Sequence, residues 1–341
     1  MSIHRFRSQL LFAYLLCSSL GYGQQLRPDL PENNGMSSER LANINAVFSD
    51  YVAEGKLPGA VVLAARNGKI VYHQAVGMSD IEEKKPMQTD NIFRIASQTK
   101  AIVSVGIMML QEEGKLLLSD TLSKYIPEFE HTKVALASAT LRKKGNMNAH
   151  RIVKAKRQIR IRDLLTHTSG IGYGYGPAKK KWEKAGIQGW YFAHRNEPIL
   201  ETVKRMAKLP MEAHPGERYV YGYSTDILGA VIEIASGQPL DVFLQKRILD
   251  PLGMVDTHFY LPTSKASRLS VVYSQCGDKL IRAAEKGIPQ FKWDDKEKCT
   301  GNNQTQGHYL NGPRRSFSGG AGLLSTSKDY AIFLQMMLNN G

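Results

Sequence analysis

The chain has 341 residues, is 42% hydrophobic and carries a formal charge of +14. This is enough to bury a sizeable core in one large domain or two smaller ones, and the composition excludes collagen, coiled coil and wholesale disorder. Much of the positive charge is local: ten Lys or Arg residues and no acid lie between His131 and Arg162. Without interleaved aromatics or a recognisable module, this reads as a basic insertion at about 131–160 on the surface, with no nucleic-acid partner expected.

Residues 1–23 show a signal-peptide pattern: Arg5 and Arg7 without an acid, the apolar run LLFAYLLCSSL, and Gly21-Tyr22-Gly23 before a cut at Gln24. The run is too short to span a bilayer. Tyr14-Leu15-Leu16 lack the small residue wanted beside a lipid-anchored cysteine at Cys17. No later stretch is apolar for long enough to cross a membrane, so the expectation is an exported protein, periplasmic or secreted, with no membrane span. Polar, Pro-rich residues 24–36 read as a linker, and one domain is expected over 37–341.

SSERLANINAVFSDYVAEGK reads as a helix capped by Ser37 or Ser38, with Leu41, Ile44, Val47 and Tyr51 at helical spacing. Two β-rich runs then flank Arg66-Asn67-Gly68-Lys69, a strong hairpin signal. Ser97 to Glu113 reads as a helix apolar on nearly every side, and hence buried, with Gly114 at its C-terminal cap. Helices predominate afterwards, and a polar, loop-like region runs from about Thr263 to Arg315. Cys276 and Cys299 can form one disulfide in an oxidising compartment or remain two thiols. No Cys/His cluster has zinc spacing, and no cofactor is expected.

FRIASQTKA places Ser97 and Lys100 three residues apart, about 5–6 Å between Cβ atoms on one face of a helix. A serine hydroxyl is a weak nucleophile until a neighbouring base takes its proton, and a lysine amine of lowered pKa can be that base. At a helix N-terminus, free backbone N–H groups and the dipole also favour a developing oxyanion. The spacing alone is expected about once by chance in a chain this long, and it recurs at Ser325-Thr326-Ser327-Lys328. Context separates the two. Ser325 or Thr326 is an ordinary cap of a polar first turn, whereas Lys100 opens an apolar helix where its burial needs a reason.

In PGERYVYGYSTDILG, Tyr219, Tyr221, Tyr223 and Ser224 precede a helix; a tyrosine near a lysine can serve as a general base, or these rings can simply pack. LLTHTSGIGYGYG has the wrong glycine spacing for a dinucleotide fingerprint, and its His167 and Ser169 read as a helix end and sharp turn.

Taken in order, FRIASQTKA, RDLLTHTSGI, PGERYVYGYSTDILGAVIEIASGQPL, ILDPLGMVDTHF and SGGAGLLSTSKDY resemble the serine β-lactamase-related family over residues 37–341. That family includes class C β-lactamases, penicillin-binding DD-peptidases, D-aminopeptidases and β-lactamase-like esterases; Thr-Asp-Ile-Leu-Gly after the tyrosines looks closest to the esterases. The resemblance implies an α/β (α+β) fold, an antiparallel sheet flanked by helices plus a mainly helical lobe, with the site between them. It implies Ser97 as the acylated nucleophile, Lys100 as its amine partner and Tyr221, first residue of a Tyr-x-Asn motif, as general base and acid. Tyr223 stands at the Asn position as a substrate-binding residue. The implied reaction is acyl transfer through an acyl-serine, without cofactor, on a small-molecule ester or amide.

A phenol cannot copy the paired donor and acceptor of a carboxamide, and no Ser-Asp-Asn tripeptide occurs, which favours esters. β-Lactamase or D-Ala-D-Ala peptidase activity is the alternative; a non-catalytic binding protein on the same scaffold is another. Family members continue past the STSKDY helix into strands bearing a Lys- or His-x-Gly motif, so an incomplete sheet is expected here.

Overall fold

The computed structural model describes residues 26–137, 150–189, 191–284 and 307–341. The expected signal peptide, the tip of the basic insertion, Trp190 and Cys299 lie outside them. Cys276 is disulfide-bonded; Cys299, with which a disulfide is one of the two readings, lies outside the described residues.

The segment expected to be a linker is folded from Leu26 onward. Leu26 is buried, and β1 (Arg27–Pro28) pairs in parallel with a central strand. The Asp29 carboxylate accepts from Leu30 N–H and from the Asn33 and Asn34 side chains. Its polar, Pro-containing composition therefore encodes a self-capped turn. Helix α1 (Ser38–Ala53) follows, and Ser37 Oγ accepts from Arg40 N–H as its N-cap. Of its apolar stripe, Leu41 is buried while Val47 and Tyr51 stay exposed.

Strands β2 (Gly59–Arg66) and β3 (Lys69–Asp80) form the predicted hairpin. Asn67 and Gly68 both take positive φ, 54° and 71°, the requirement of a type I′ turn. The sheet order is β1-β3-β2, with β4 (Lys85–Pro86) paired to the end of β3. Among the described residues no strand pairs with the outer edge of β2. Strand β5 (Phe93–Arg94) leads into a 3-10 turn, Ala96–Gln98, and then α2 (Thr99–Glu112). Ile102, Val103, Ile107 and Leu110 of α2 are buried, but Met108 is exposed, so the helix has one wet flank rather than none.

The remaining elements build the helical lobe. The basic segment contributes a hairpin, β6 (Lys133–Ala137) with β7 (His150–Lys154). Ala135 N–H donates to Met211 O and Met211 N–H to Lys133 O, both at 2.8 Å, so its base is part of the lobe. Then come α3 (Ile161–Leu165), α4 (Lys179–Lys184), α5 (Ile199–Ala207) and α6 (Ser224–Ser236). Helix α6 is the centre: Ser224 to Ile232 are all buried, and it packs on α2, α3 and α5 and on α7 (Leu240–Leu244). A helix apolar on all sides belongs there. Strands β8 (Tyr273–Cys276) and β9 (Lys279–Arg282) form a small hairpin.

After α8 (Gly307–Asn311), β10 (Leu324–Ser325) pairs with β5, and α9 (Ser327–Leu338) returns to pack on β2. An open groove of about 920 Å³ runs between β2 and α9, lined by Val61, Leu63, Phe93, Tyr330, Leu334 and Leu338 among others. No single helix among the described residues is long and apolar enough to cross a membrane.

Candidate active site

The β5–β10 pairing sets the site. Leu324 lies opposite Arg94, Ile95 N–H donates to Leu323 O, and Leu323 N–H donates to Thr99 Oγ1. The start of α2 is thereby held beside the Gly-rich turn at 318–322. Between β5 and α2 the chain must reverse sharply, and Ala96 does so with φ 43°. A left-handed non-glycine residue costs about 1–2 kcal/mol, and here it immediately precedes Ser97.

Ser97 Oγ is the meeting point. Lys100 Nζ donates to it at 3.2 Å and Tyr221 OH at 2.8 Å. Lys100 Nζ also donates to Gly320 O at 2.6 Å and sits 4.8 Å from the Tyr221 ring centroid. With both partners protonated, Ser97 accepts twice. Removing one proton from the Lys100–Tyr221 pair reverses a bond and supplies a base for the hydroxyl.

Tyr221 stands upright because of its neighbours. The His167 ring lies 4.7 Å from it and Tyr173 meets it edge-on at 5.8 Å. His167 is itself left-handed (φ 54°), and its carbonyl accepts from Val220 N–H at 2.7 Å. Burial, and then the Lys100 charge, push the imidazole down to about 4, so it is neutral at neutral pH.

Tyr223 does not join them. It is 0% exposed, donates to Gly189 O at 2.7 Å, and packs against Tyr173, Phe192 and Trp182. The substrate-contact role expected from its Asn-equivalent position therefore does not hold: its phenol is turned into the lobe core. The reason is local. A Cβ at Gly222 would lie 2.4 Å from the Gly172 carbonyl carbon, so the chain presses against the glycine loop and Tyr223 swings inward as α6 begins. The second Ser-x-x-Lys is structural. Ser325 is buried with its Oγ 2.8 Å from Thr257 Oγ1, and Thr326 accepts from Asp329 N–H as the cap of α9.

Two contributors carried no clear sequence signal. His167 sits in a segment that reads as a plain turn. Asp226, five residues after Tyr221, reads as an ordinary polar residue in the first turn of α6. It is instead fully buried, with Oδ1 accepting from Ser318 Oγ at 2.6 Å and Gly320 N–H at 3.1 Å. Among the described residues no group of three His, Cys, Asp or Glu side chains is placed to hold a metal ion.

Known proteins share this arrangement of elements. Residues 44–341 match the family described as beta-lactamase. The chain is 34% identical over 233 residues, 68% of its length and 54% of the relative's, to esterase EstB of Burkholderia gladioli. It is 31% identical over 294 residues, 84% of its length, to the uncharacterized protein MT1414 of Mycobacterium tuberculosis, of which it spans 64%. It thus covers less than two thirds of the length of these curated relatives. Among solved structures, EstCE1, described as a hydrolase with promiscuous acyltransferase activity, superposes with a TM-score of 0.71 at 26% identity, over 87% of this chain and 72% of that one. The family match over most of the chain, on a fold that gathers Ser97, Lys100 and Tyr221, leaves one assignment: the protein belongs to the beta-lactamase family.

Proposed function

We propose that this protein is an exported serine hydrolase that cleaves carboxylic esters through an acyl-serine. The observation that carries it is Ser97 Oγ within hydrogen-bonding distance of both Lys100 Nζ and Tyr221 OH. Ser97 Oγ attacks the ester carbonyl carbon while its proton passes to the singly deprotonated Lys100–Tyr221 pair. The carbonyl π electrons move onto oxygen, where N–H groups at the start of α2 favour the negative charge. Collapse breaks the bond to the alcohol, which takes up the proton, and water then repeats the sequence to release the acid and free Ser97.

Esters are favoured over lactams and peptides by the fate of Tyr223. Its hydroxyl is committed to Gly189 O, so the position offers no carboxamide to grip a substrate amide. Esterase EstB and the hydrolase EstCE1 point the same way. Export rests on the pattern of residues 1–23, and the exported form should begin at Gln24 by N-terminal sequencing.

The test is a panel on the full-length protein and its Ser97→Ala variant: p-nitrophenyl acetate, nitrocefin and a D-Ala-D-Ala peptide. Ser97-dependent turnover of the acetate above the other two is expected. Preferential opening of nitrocefin or cleavage of the peptide reassigns the substrate class, and a folded protein without Ser97-dependent turnover removes the hydrolase assignment.

A further inference from the structure

Asp226 has no role in the chemistry above, yet its surroundings are unusual. The side chain is completely buried, its Oδ1 takes two donors, and its Oδ2 has no hydrogen-bond partner. A buried carboxylate oxygen left bare is costly unless a nearby charge or proton compensates. The Lys100 ammonium acts on it through space. Burial outweighs the pull of Ser318, Lys100 and Gly320 N–H and leaves its carboxyl above the ordinary carboxylate range.

The connection to the site runs through one residue. Gly320 gives its N–H to Asp226 Oδ1 and its carbonyl to Lys100 Nζ. A Cβ on Gly320 would lie 2.2 Å from Asp226 Oδ2, so only glycine lets the turn close on the carboxylate. Ser318 Oγ donates to Asp226 Oδ1, the oxygen that also accepts from Gly320 N–H.

We infer that Asp226 is a positioning residue for Lys100: it fixes the 318–320 turn whose carbonyl holds the amine beside Ser97 Oγ. This rests on the hydrolase reading of Ser97. Lys100 Nζ meets Ser97 Oγ, the Gly320 carbonyl and the Tyr221 ring. Loosening a tie on the turn frees the Gly320 carbonyl and with it the amine, which slows the attack of Ser97.

Ser318→Ala removes one of the two ties on the turn and leaves the carboxylate and Gly320 in place, and Ser318→Thr restores the hydroxyl. The experiment measures the fluorophosphonate labelling rate of Ser97 in the full-length protein and in both variants, with thermal melts of all three. Labelling slowed several-fold in Ser318→Ala and recovered in Ser318→Thr is expected. Labelling of a folded Ser318→Ala at the parent rate overturns the role of Asp226 while leaving Ser97 labelling, and so the hydrolase reading, intact. Absence of Ser97-dependent labelling in the parent protein overturns that reading instead. Should Ser318→Ala not fold, Ser318→Cys replaces the hydroxyl by a weaker thiol donor. Labelling slowed several-fold supports the positioning role, and labelling at the parent rate overturns it.

Discussion

Tyr221→Phe separates chemistry from architecture. The substitution deletes one atom that touches Ser97 Oγ and keeps the ring that His167 and Tyr173 pack against and that Lys100 Nζ overlies. Tyr221 is 40% exposed, so its hydrogen bond is partly wet and worth about 1 kcal/mol or less to folding. A general base or acid contributes about 10²–10⁴ in rate, which at about 1.36 kcal/mol per decade is roughly 3–5 kcal/mol. The variant should therefore melt within a few degrees of the parent and hydrolyse p-nitrophenyl acetate at least about a hundredfold more slowly. Paired thermal melts and kcat/KM measurements decide the matter. A rate within threefold of the parent, or a large loss of stability, refutes the assignment of the proton-transfer role to this phenol.

Tyr223→Phe should do the opposite. It strands the buried Gly189 carbonyl, which costs about 1–3 kcal/mol by denaturant titration, while kcat stays close to the parent value. Arg157→Ala removes both guanidinium bonds from Asp163, which is 3% exposed, and should destabilise by about 3–5 kcal/mol; a change under 1 kcal/mol would show that water satisfies the carboxylate. The Arg205 guanidinium, reinforced by Thr202, holds Glu197 at about 2 against an ordinary 4.5. The folded-state value is depressed, so this stability is present above about 4.5 and lost as pH falls through about 2. The difference in Tm between parent and Glu197→Gln should shrink across that window; a constant difference would contradict the linkage.

What was legible in the sequence was what depends on neighbours in the chain. Asn67-Gly68 specifies its hairpin by two left-handed residues, and Ser97-Lys100 share a face because the spacing is three. The third partner, Tyr221, is 124 residues from Ser97, and only the ordered set of motifs tied them together. Tyr223 was misread because a motif register gives position and not direction; Gly222 pressed against Gly172 decides which way the ring points. Asp226 was missed because its partners arrive more than 90 residues later, and nothing in Ser-Thr-Asp distinguishes a helix cap from a buried carboxylate. The 26–36 segment was misread because prolines and polar residues serve both linkers and turns, and Leu26, the residue that anchors it, is one side chain.

The central claim is that Ser97 is the nucleophile, and mass spectrometry reads it directly. After reaction of the full-length protein with a fluorophosphonate, one adduct per chain should map to the peptide containing Ser97, and neither Ser97→Ala nor Lys100→Ala should acquire it at a comparable rate. An adduct on Ser169, Ser224 or Ser325, or equal labelling of Ser97→Ala, contradicts the account.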